Sequence, residues 1–309
     1  MFNHISVLLN ESIELLNINP AGVYVDGTLG GGGHAELICK HLGYDGRLIG
    51  IDQDGEAIAA ATERLEKFGE KVTIVRSNFR NIKEILADLE IDGINGAVLD
   101  LGVSSHQLDK GERGFSYNTD APLDMRMNTN SKKSAFTVVN TYSEAELVDV
   151  IFNYGEERFA RKIARKILQS RADAPIETTF ELVDIIKSAV PGGKYADKHP
   201  AKRTFQAIRI EVNEEIELLK DAIIDFFETL NQGGRLCIIS FHSLEDRIVK
   251  QAFADFCRGC TCPGDFPICV CGNVAVGKAV TRKPITATDD ELNANNRSHS
   301  AKLRVIEKL

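Results

Sequence analysis

The stretch Val23-Tyr-Val-Asp-Gly-Thr-Leu-Gly-Gly-Gly-Gly-His34 decides the fold of this chain. It predicts a short buried strand that ends at Asp26, followed by four glycines that lead into a helix. Strand, glycine loop and helix in this order let the backbone lie against a cofactor, because glycine permits positive φ and has no Cβ. A second predicted strand, Arg47–Ile51, is followed by Asp52, where a carboxylate can bind both hydroxyls of a ribose.

The glycine loop is compatible with more than one ligand. Gly30, Gly32 and Ala35 match the G-x-G-x-x-A dinucleotide fingerprint, and Asp52 follows at about the 20-residue spacing that this fingerprint expects. A tight turn between strand and helix with no ligand is the structural alternative. The loop by itself leaves two cofactor classes open, a nicotinamide or flavin dinucleotide and S-adenosylmethionine.

Composition places the chain among cytoplasmic globular proteins. Its 309 residues are 43% apolar, enough for one large or two smaller cores. The N-terminus has no positively charged region followed by a long apolar stretch, which excludes a secretory signal, and no run approaches the roughly 18 apolar residues of a membrane span. The crowding of five of the seven cysteines late in the chain does not resemble a secreted disulfide framework. We therefore expect a cytoplasmic location and no membrane partner.

Charge is unevenly distributed along the chain. The net charge is −8, which argues against a protein that coats nucleic acid over its whole surface. Residues 158–203, however, contain eleven Lys and Arg against five Asp and Glu. An acidic body with one basic segment indicates a local site for a polyanion, with a solvated helix face as the alternative.

The order of predicted elements gives an α/β fold with an insertion. Strands alternate with helices as far as a fourth strand, Gly96–Asp100, which predicts a parallel sheet with helices on both faces. Helical patterns alone follow, and the sheet pattern resumes at Gly233–Phe241 and Ser300–Ile306. We thus predict a discontinuous cofactor-binding domain of residues 1–110 and 214–309, and a helical insertion of residues 111–213 for substrate recognition.

One predicted helix of the insertion, Glu156–Gln169, is amphipathic. Phe159, Ile163 and Ile167 share one face, and the opposite face is basic. Such a helix is buried on one side and offers phosphates a strip of cations on the other. The strip consists of Arg158, Arg161, Lys162, Arg165 and Lys166.

Five cysteines late in the chain have the spacing C-x2-C-x-C-x6-C-x-C. Four thiolates could hold a structural zinc ion in this loop. The C-x-C pairs are nevertheless not the usual C-x2-C pairs of zinc sites, and five ligands are one too many. We therefore expect no metal and reduced loop thiols at Cys257, Cys260, Cys262, Cys269 and Cys271.

Taken together, the motifs resemble the bacterial ribosomal RNA small subunit methyltransferase H family along the whole chain. One position departs from the family pattern, His106, where proline is expected. The matching stretches are His4–Leu9, the glycine loop through His34, Ile51–Asp54, Asn78-Phe79, Asp100–Ser105, Gln107–Asp109, Arg113–Ser116, Pro122–Met127, His199–Gln206, Ser240–Arg247 and Arg297–Arg304.

The resemblance implies a class I (Rossmann-like) methyltransferase fold and S-adenosylmethionine as the cofactor. It implies methyl transfer to the exocyclic N4 of a cytidine in the decoding region of small-subunit (16S-type) ribosomal RNA, within a ribosomal particle. The oligomeric state stays open, a homodimer included. The implied cofactor-binding residues are Gly32, Gly33, His34, Asp52, Phe79, Asp100 and Gln107.

Candidate catalytic residues are Asp100 and His242. Related amino-methyltransferases end this strand in Asp-Pro-Pro-Tyr and use the acid to accept a hydrogen bond from the substrate amine, whereas here the strand continues Asp100-Leu-Gly-Val103. His242 is a candidate general base, with a role in starting a helix as the alternative. Substrate-binding candidates are Arg113, Lys202, Arg203, His242 and Ser243.

Two other classes of protein remain as alternatives. A dinucleotide-dependent oxidoreductase would use the glycine loop to hold a pyrophosphate. A non-catalytic RNA-binding assembly factor would use the basic segment without an intact cofactor pocket.

Overall fold

The computed structural model describes residues 6–103, 111–191, 199–262, 268 and 270–309. It divides the chain into two compact units, a sheet unit of Met1–Gly102 and Ile216–Leu309, and an insertion unit of Val103–Glu215. The sequence analysis predicted the boundaries between the two domains after residues 110 and 213, whereas the structure has them after residues 102 and 215.

Helices and strands alternate in the sheet unit, and the insertion unit is helical in its described part. The helices are α1 (Leu9–Leu16), α2 (Gly33–His41), α3 (Gly55–Leu65), α4 (Ile82–Asp88), α5 (Ala135–Thr141), α6 (Glu144–Asn153), α7 (Ala160–Asp173), α8 (Thr179–Ala189), α9 (Lys202–Asn213), α10 (Leu219–Thr229), α11 (Ser243–Phe256) and α12 (Asp289–Ala294). The strands are β1 (Val23–Asp26), β2 (Arg47–Asp52), β3 (Val72–Arg76), β4 (Ile94–Asp100), β5 (Leu230–Ser240), β6 (Gly277–Ala279) and β7 (Lys302–Lys308).

The seven strands form one sheet in the order β3-β2-β1-β4-β5-β7-β6. The first five are parallel, and β7 runs antiparallel to both of its neighbours. The expected α/β sheet is confirmed. The antiparallel direction of β7 is an addition to the parallel sheet that the alternation of elements predicts.

Two apolar layers cover the sheet, because successive side chains of a strand point to opposite faces. Tyr24 and Leu48 face a cluster with α1, α2 and α3, whereas their neighbours Val25 and Ile49 face a cluster with α4, α10 and α11. Strands buried on both faces read as continuous apolar runs, as β2 and β4 do. This two-sided core fixes the strand ends, where the functional residues lie.

The insertion unit has an apolar core of its own, formed by buried residues from Phe115 to Val212. Within it α7 buries Ile163 and Ile167, as the sequence predicts, and Phe159 is half-buried at the N-cap. All five cations of the basic strip are exposed. Among the described residues, no helix of either unit is long and apolar enough to cross a bilayer.

Candidate functional site

Three carboxylates lie at the carboxyl ends of three adjacent strands. Asp26 ends β1, Asp52 ends β2 and Asp100 ends β4, and β1 pairs in parallel with both of the other strands. The carboxyl ends of parallel strands meet at one edge of a sheet, and α/β proteins of this kind bind ligands there. The sequence analysis selected Asp52 and Asp100 and did not assign a role to Asp26.

Asp26 holds the glycine loop in place. Its side chain is 1% exposed, and its two oxygens accept hydrogen bonds from the backbone N–H groups of Thr28 (3.2 Å) and Ala35 (3.1 Å). Burial, with a contribution from nearby Asp52, raises the pKa of Asp26 to about 7, while the two backbone hydrogen bonds act in the opposite direction. Asp26 therefore acts as the anchor between β1 and the start of α2.

The glycine loop needs glycine for two different reasons. Gly32 has φ of +76° at the N-cap of α2, a conformation that residues with a Cβ rarely adopt. At Gly33 a β-carbon would overlap the hydroxyl of Ser6, so this glycine permits a close approach within the protein. A β-carbon added to Gly31 would meet no described atom within 4 Å, which identifies the open side of the loop.

His34 is part of the protein interior. It is 4% exposed, and its Nε2 lies 3.2 Å from the carbonyl oxygen of Val7. The ring thus packs within the sheet unit. We expect this segment to bind a ligand through the backbone N–H groups at the N-terminus of α2, where the helix dipole favours an anionic group, and not through the His34 ring.

Asp52 ties the end of β2 to the glycine loop. Its Oδ2 accepts the N–H of Gly30 (2.8 Å), and its Oδ1 accepts the N–H of Asp54 (2.9 Å). Burial is the main cause of its raised pKa, against the hydrogen bonds from the Asp54 and Gly30 amides. The amide of Gln53 is a third backbone donor to Asp52, and a carboxylate has about four lone-pair sites, so the group retains the capacity to accept a hydroxyl of a ribose.

Phe79 begins a short 3₁₀ turn after β3. Its half-buried ring packs against the Phe226 ring, with a centroid distance of 6.5 Å and an interplanar angle of 47°. One side of the ring therefore belongs to the core. Gln107, the remaining predicted cofactor residue, lies outside the described residues, as does His106.

The surroundings of Asp100 favour the neutral form of its carboxyl group. Its backbone N–H donates to the hydroxyl of Thr28 (2.6 Å), whereas its Oδ1 is buried without a hydrogen-bond partner among the described residues. Burial raises the pKa of Asp100 well above its usual value, Asp26 and Glu245 raise it further, and Arg297 opposes them. A buried acceptor in this state is suited to a polar or cationic ligand group, because an unsatisfied buried carboxyl is costly.

His242 is the N-cap of α11. Its Nδ1 accepts the N–H of Glu245 (3.4 Å), and Glu245 in return accepts the N–H of His242 (3.3 Å), which completes a capping box. Ser243, a predicted substrate-binding residue, is exposed in the first turn of α11, and Asp246 in the same turn pairs with Lys302 and Arg304.

The cap fixes the tautomer of the His242 ring. Because Nδ1 accepts a hydrogen bond, the proton of the neutral ring is on Nε2. This Nε2 lies 3.0 Å from Glu245 Oε1, although without hydrogen-bond geometry. In this arrangement the basic nitrogen of the ring is engaged by the backbone, which favours the helix-starting role over that of a general base.

The remaining predicted residues belong to the insertion unit. The guanidinium of Arg113 donates to the carbonyl oxygens of Arg126 and Met127, so this side chain supports a loop of the unit itself. Lys202 and Arg203 are exposed in the first turn of α9, and Arg203 also donates to the Glu156 carbonyl oxygen (2.9 Å). Their binding of substrate stays a prediction.

Comparison with known proteins gives a match over the whole chain. Residues 1–309 match the MraW methylase family. A Ribosomal RNA small subunit methyltransferase H from Brevibacillus brevis is 56% identical over 309 residues, which are 100% of this chain and 98% of the relative. The protein of the same name from Clostridium botulinum (strain Kyoto / Type A2) is 58% identical over 308 residues, 100% of this chain and 99% of the relative.

Similarity to solved structures is weaker. An rRNA methylase structure from Streptococcus thermophilus is 12% identical, covers 99% of each chain and has a TM-score of 0.45, which adds nothing to the assignment. The full-length match and the close relatives are sufficient: this chain belongs to the MraW methylase family.

Proposed function

We propose that this chain transfers a methyl group from S-adenosylmethionine to the exocyclic N4 of a cytidine in the decoding region of small-subunit ribosomal RNA. The observation that carries the proposal is the 56–58% identity, over essentially complete chains, to relatives named for methylation of this RNA. Membership of a methylase family supports an enzyme that uses S-adenosylmethionine. It argues against both alternatives from the sequence, a dinucleotide-dependent oxidoreductase and a non-catalytic assembly factor.

The carboxyl edge of the sheet fits the cofactor. S-adenosylmethionine, when bound, supplies a methyl group activated by a sulfonium. Asp52 would bind the ribose hydroxyls with its remaining lone pairs, and the N-terminus of α2 would stabilise the methionine carboxylate. Phe79 would offer its uncovered side to the adenine. Gly32, Gly33 and the backbone of His34 would let the loop approach the ligand.

Asp100 is the residue best suited to act near the reacting amine. The N4 amine of cytosine is a poor nucleophile, because its lone pair is delocalised into the ring. The ionised Asp100 carboxylate can accept an N4–H hydrogen bond, which localises that lone pair, and its raised pKa lets it take the proton that N4 loses. Binding of a cation nearby favours this ionised form.

The insertion unit would recognise the RNA. The exposed basic strip formed by Arg158 and the cations of α7 can neutralise phosphates, and Arg165 of this strip also pairs with Glu144 at 2.9 Å. Such phosphate contacts position a nucleic acid without reading its sequence. The target cytosine must be single-stranded or turned out of its stack to present N4. We place the reaction in the cytoplasm, on a small-subunit particle, where the decoding region is already folded.

A methyl-transfer assay tests the proposal. Tritiated S-adenosylmethionine is incubated with the protein and small-subunit particles that lack the modification, and the labelled nucleoside is identified after digestion of the RNA. We expect label on N4 of one cytidine, more with particles than with naked RNA, and none with Asp100→Ala. Label on another atom, or none in wild type, would refute the proposal. Light scattering of the same preparation distinguishes a monomer from a homodimer.

A further inference from the structure

The segment between α11 and β6, residues 257–276, has little core of its own in its described part. Ile268 and Val274 are each 75% exposed, and Val270 is 73% exposed. Backbone hydrogen bonds fasten its C-terminal end, because Val276 N–H donates to Phe256 and the Val276 carbonyl accepts from Leu309. Burial of apolar groups therefore does not explain how the middle of the segment is held.

Three cysteine thiols meet in this segment. The Sγ atoms of Cys260, Cys262 and Cys271 all lie within 4.8 Å of one another, and those of Cys260 and Cys271 are 3.7 Å apart. The three residues come from both ends of the segment's cysteine-rich part, so the chain must turn back on itself to bring them together. Cys257 is not in this group, and Cys269 lies outside the described residues.

Backbone N–H groups point at the sulfur atoms. Thr261 N–H and Asn273 N–H both donate to Cys271 Sγ, at 3.3 and 3.4 Å, and Val270 N–H donates to Cys262 Sγ at 3.3 Å. Hydrogen bonds from amides to sulfur stabilise a negative charge there, and such outer contacts orient the ligands of metal sites. The Asn273 side chain donates to the carbonyl oxygens of Arg258 and Gly259, which fixes the turn.

The separation of the Cys260 and Cys271 sulfur atoms is compatible with a shared metal ion. With zinc–sulfur bonds of about 2.3 Å and tetrahedral angles, two sulfur ligands lie about 3.8 Å apart. The Cys260–Cys271 separation of 3.7 Å agrees with that value. A disulfide would require about 2.05 Å between the same atoms.

We propose that Cys260, Cys262 and Cys271 bind a structural zinc ion that holds the segment between α11 and β6. Each thiol releases its proton to solvent as its bond to zinc forms, and a fourth donor completes the tetrahedron. Thiolates in tetrahedral geometry select zinc over the hard cations magnesium and calcium. The proposed zinc site differs from the expectation of the sequence analysis, in which the C-x-C spacing argued against a metal. In the structure the thiol of Cys271 lies beside those of Cys260 and Cys262, so the group does not depend on the spacing within one C-x-C pair.

The test measures bound metal directly. The full-length protein is purified under reducing conditions from zinc-supplemented cells, and its zinc and iron contents are determined by mass spectrometry. We expect about one zinc ion per chain, and tetrahedral thiolate absorption bands when cobalt(II) replaces zinc. Cys260→Ser and Cys271→Ser should lose the zinc, whereas Cys257→Ser, a cysteine of the same segment outside the group, should retain it.

A graded variant separates metal binding from a general folding defect. Asn273→Ala keeps all three thiols and should weaken zinc binding by on the order of tenfold, because it loosens the turn that orients them. Circular dichroism confirms that each variant is folded. The proposal is overturned if the reduced wild type binds neither zinc nor cobalt, if iron is found instead, or if zinc remains in both Cys260→Ser and Cys271→Ser.

Discussion

The protonation of Asp26 should make the stability of the cofactor-free protein depend on pH. Burial raises the Asp26 pKa from 3.8 to about 7 in the folded protein. Between these values the unfolded chain has released the proton and the folded protein still binds it. The contribution to stability is therefore complete below pH 4 and is lost as the pH rises through 7.

The size of this effect follows from the shift. Each pKa unit corresponds to about 1.4 kcal/mol, so roughly three units correspond to about 4 kcal/mol of unfolding free energy. In Asp26→Asn the side chain has no proton to release, and its amide resembles the neutral acid in shape. The variant should therefore gain about 4 kcal/mol relative to wild type between about pH 4 and about pH 8.

Urea unfolding of both proteins across this pH range measures the difference. Only the change of the difference with pH is interpreted, because the amide introduced by Asp26→Asn would also present an N–H to one of the two backbone donors that Asp26 accepts. Titrating groups remote from Asp26 are common to both proteins and cancel, whereas Asp52 and Asp100, which interact electrostatically with Asp26, contribute a smaller part of the difference. Two stability curves that stay parallel across this range would refute the assignment of a buried, neutral Asp26.

Three further predictions concern the cofactor and the RNA. Asp52→Ala should weaken S-adenosylmethionine binding by roughly 2–4 kcal/mol in calorimetric titration, with the exposed Glu56→Gln as a control that binds normally; an unchanged dissociation constant would remove Asp52 from the site. Binding of the same ligand should strengthen as the pH rises and should release a proton, because the sulfonium favours the ionised form of Asp100. Asp100→Asn should reduce that release without removing the share of Asp26 and Asp52, whose pKa values are also raised; a release that is the same in Asp100→Asn as in wild type would contradict the proposed role. Replacing four cations of α7 by glutamine should reduce the slope of log affinity for RNA against log salt concentration by up to about 3. Replacing four exposed lysines of the sheet unit should leave that slope unchanged. Equal slopes for wild type and the α7 variant would show that this helix face is solvated and does not contact phosphates. The α7 set is Arg161, Lys162, Arg165 and Lys166, and the control set is Lys40, Lys67, Lys250 and Lys278.

The elements that the sequence predicts well are those whose pattern is local. The amphipathic α7 is recognisable by its helical period, the buried strands by their continuous apolar runs, and the glycine loop by its four consecutive glycines. Two elements, α5 and β6, have no such local pattern and were not predicted. The helix α5 contains Thr137, Val138, Val139 and Thr141, whose branched side chains disfavour a helix, and burial in the insertion core outweighs that preference.

The strand β6 is missed for a related reason. Gly277–Ala279 has only three residues and no alternation, and it is a strand because it pairs with β7. Tertiary contacts also decide the site. Nothing in the local sequence shows that His34 packs against Val7, or that Asp26 reaches forward to the N–H of Ala35. An acid at the end of the first strand, directly before the glycine loop, was the available signal for Asp26.

The pairing of β4 with β5 across the insertion has a consequence for the nascent chain. During synthesis β1 to β4 leave the ribosome first, while the partner that covers the second edge of β4 is not made until Leu230–Ser240 emerge. An apolar strand edge without its neighbour is a template for pairing with other chains. The insertion unit, whose own core is complete by Glu215, can fold during this interval and shorten the flexible chain that β5 must close. Chaperone dependence in the cell should therefore be greatest while the ribosome translates the helices of the insertion.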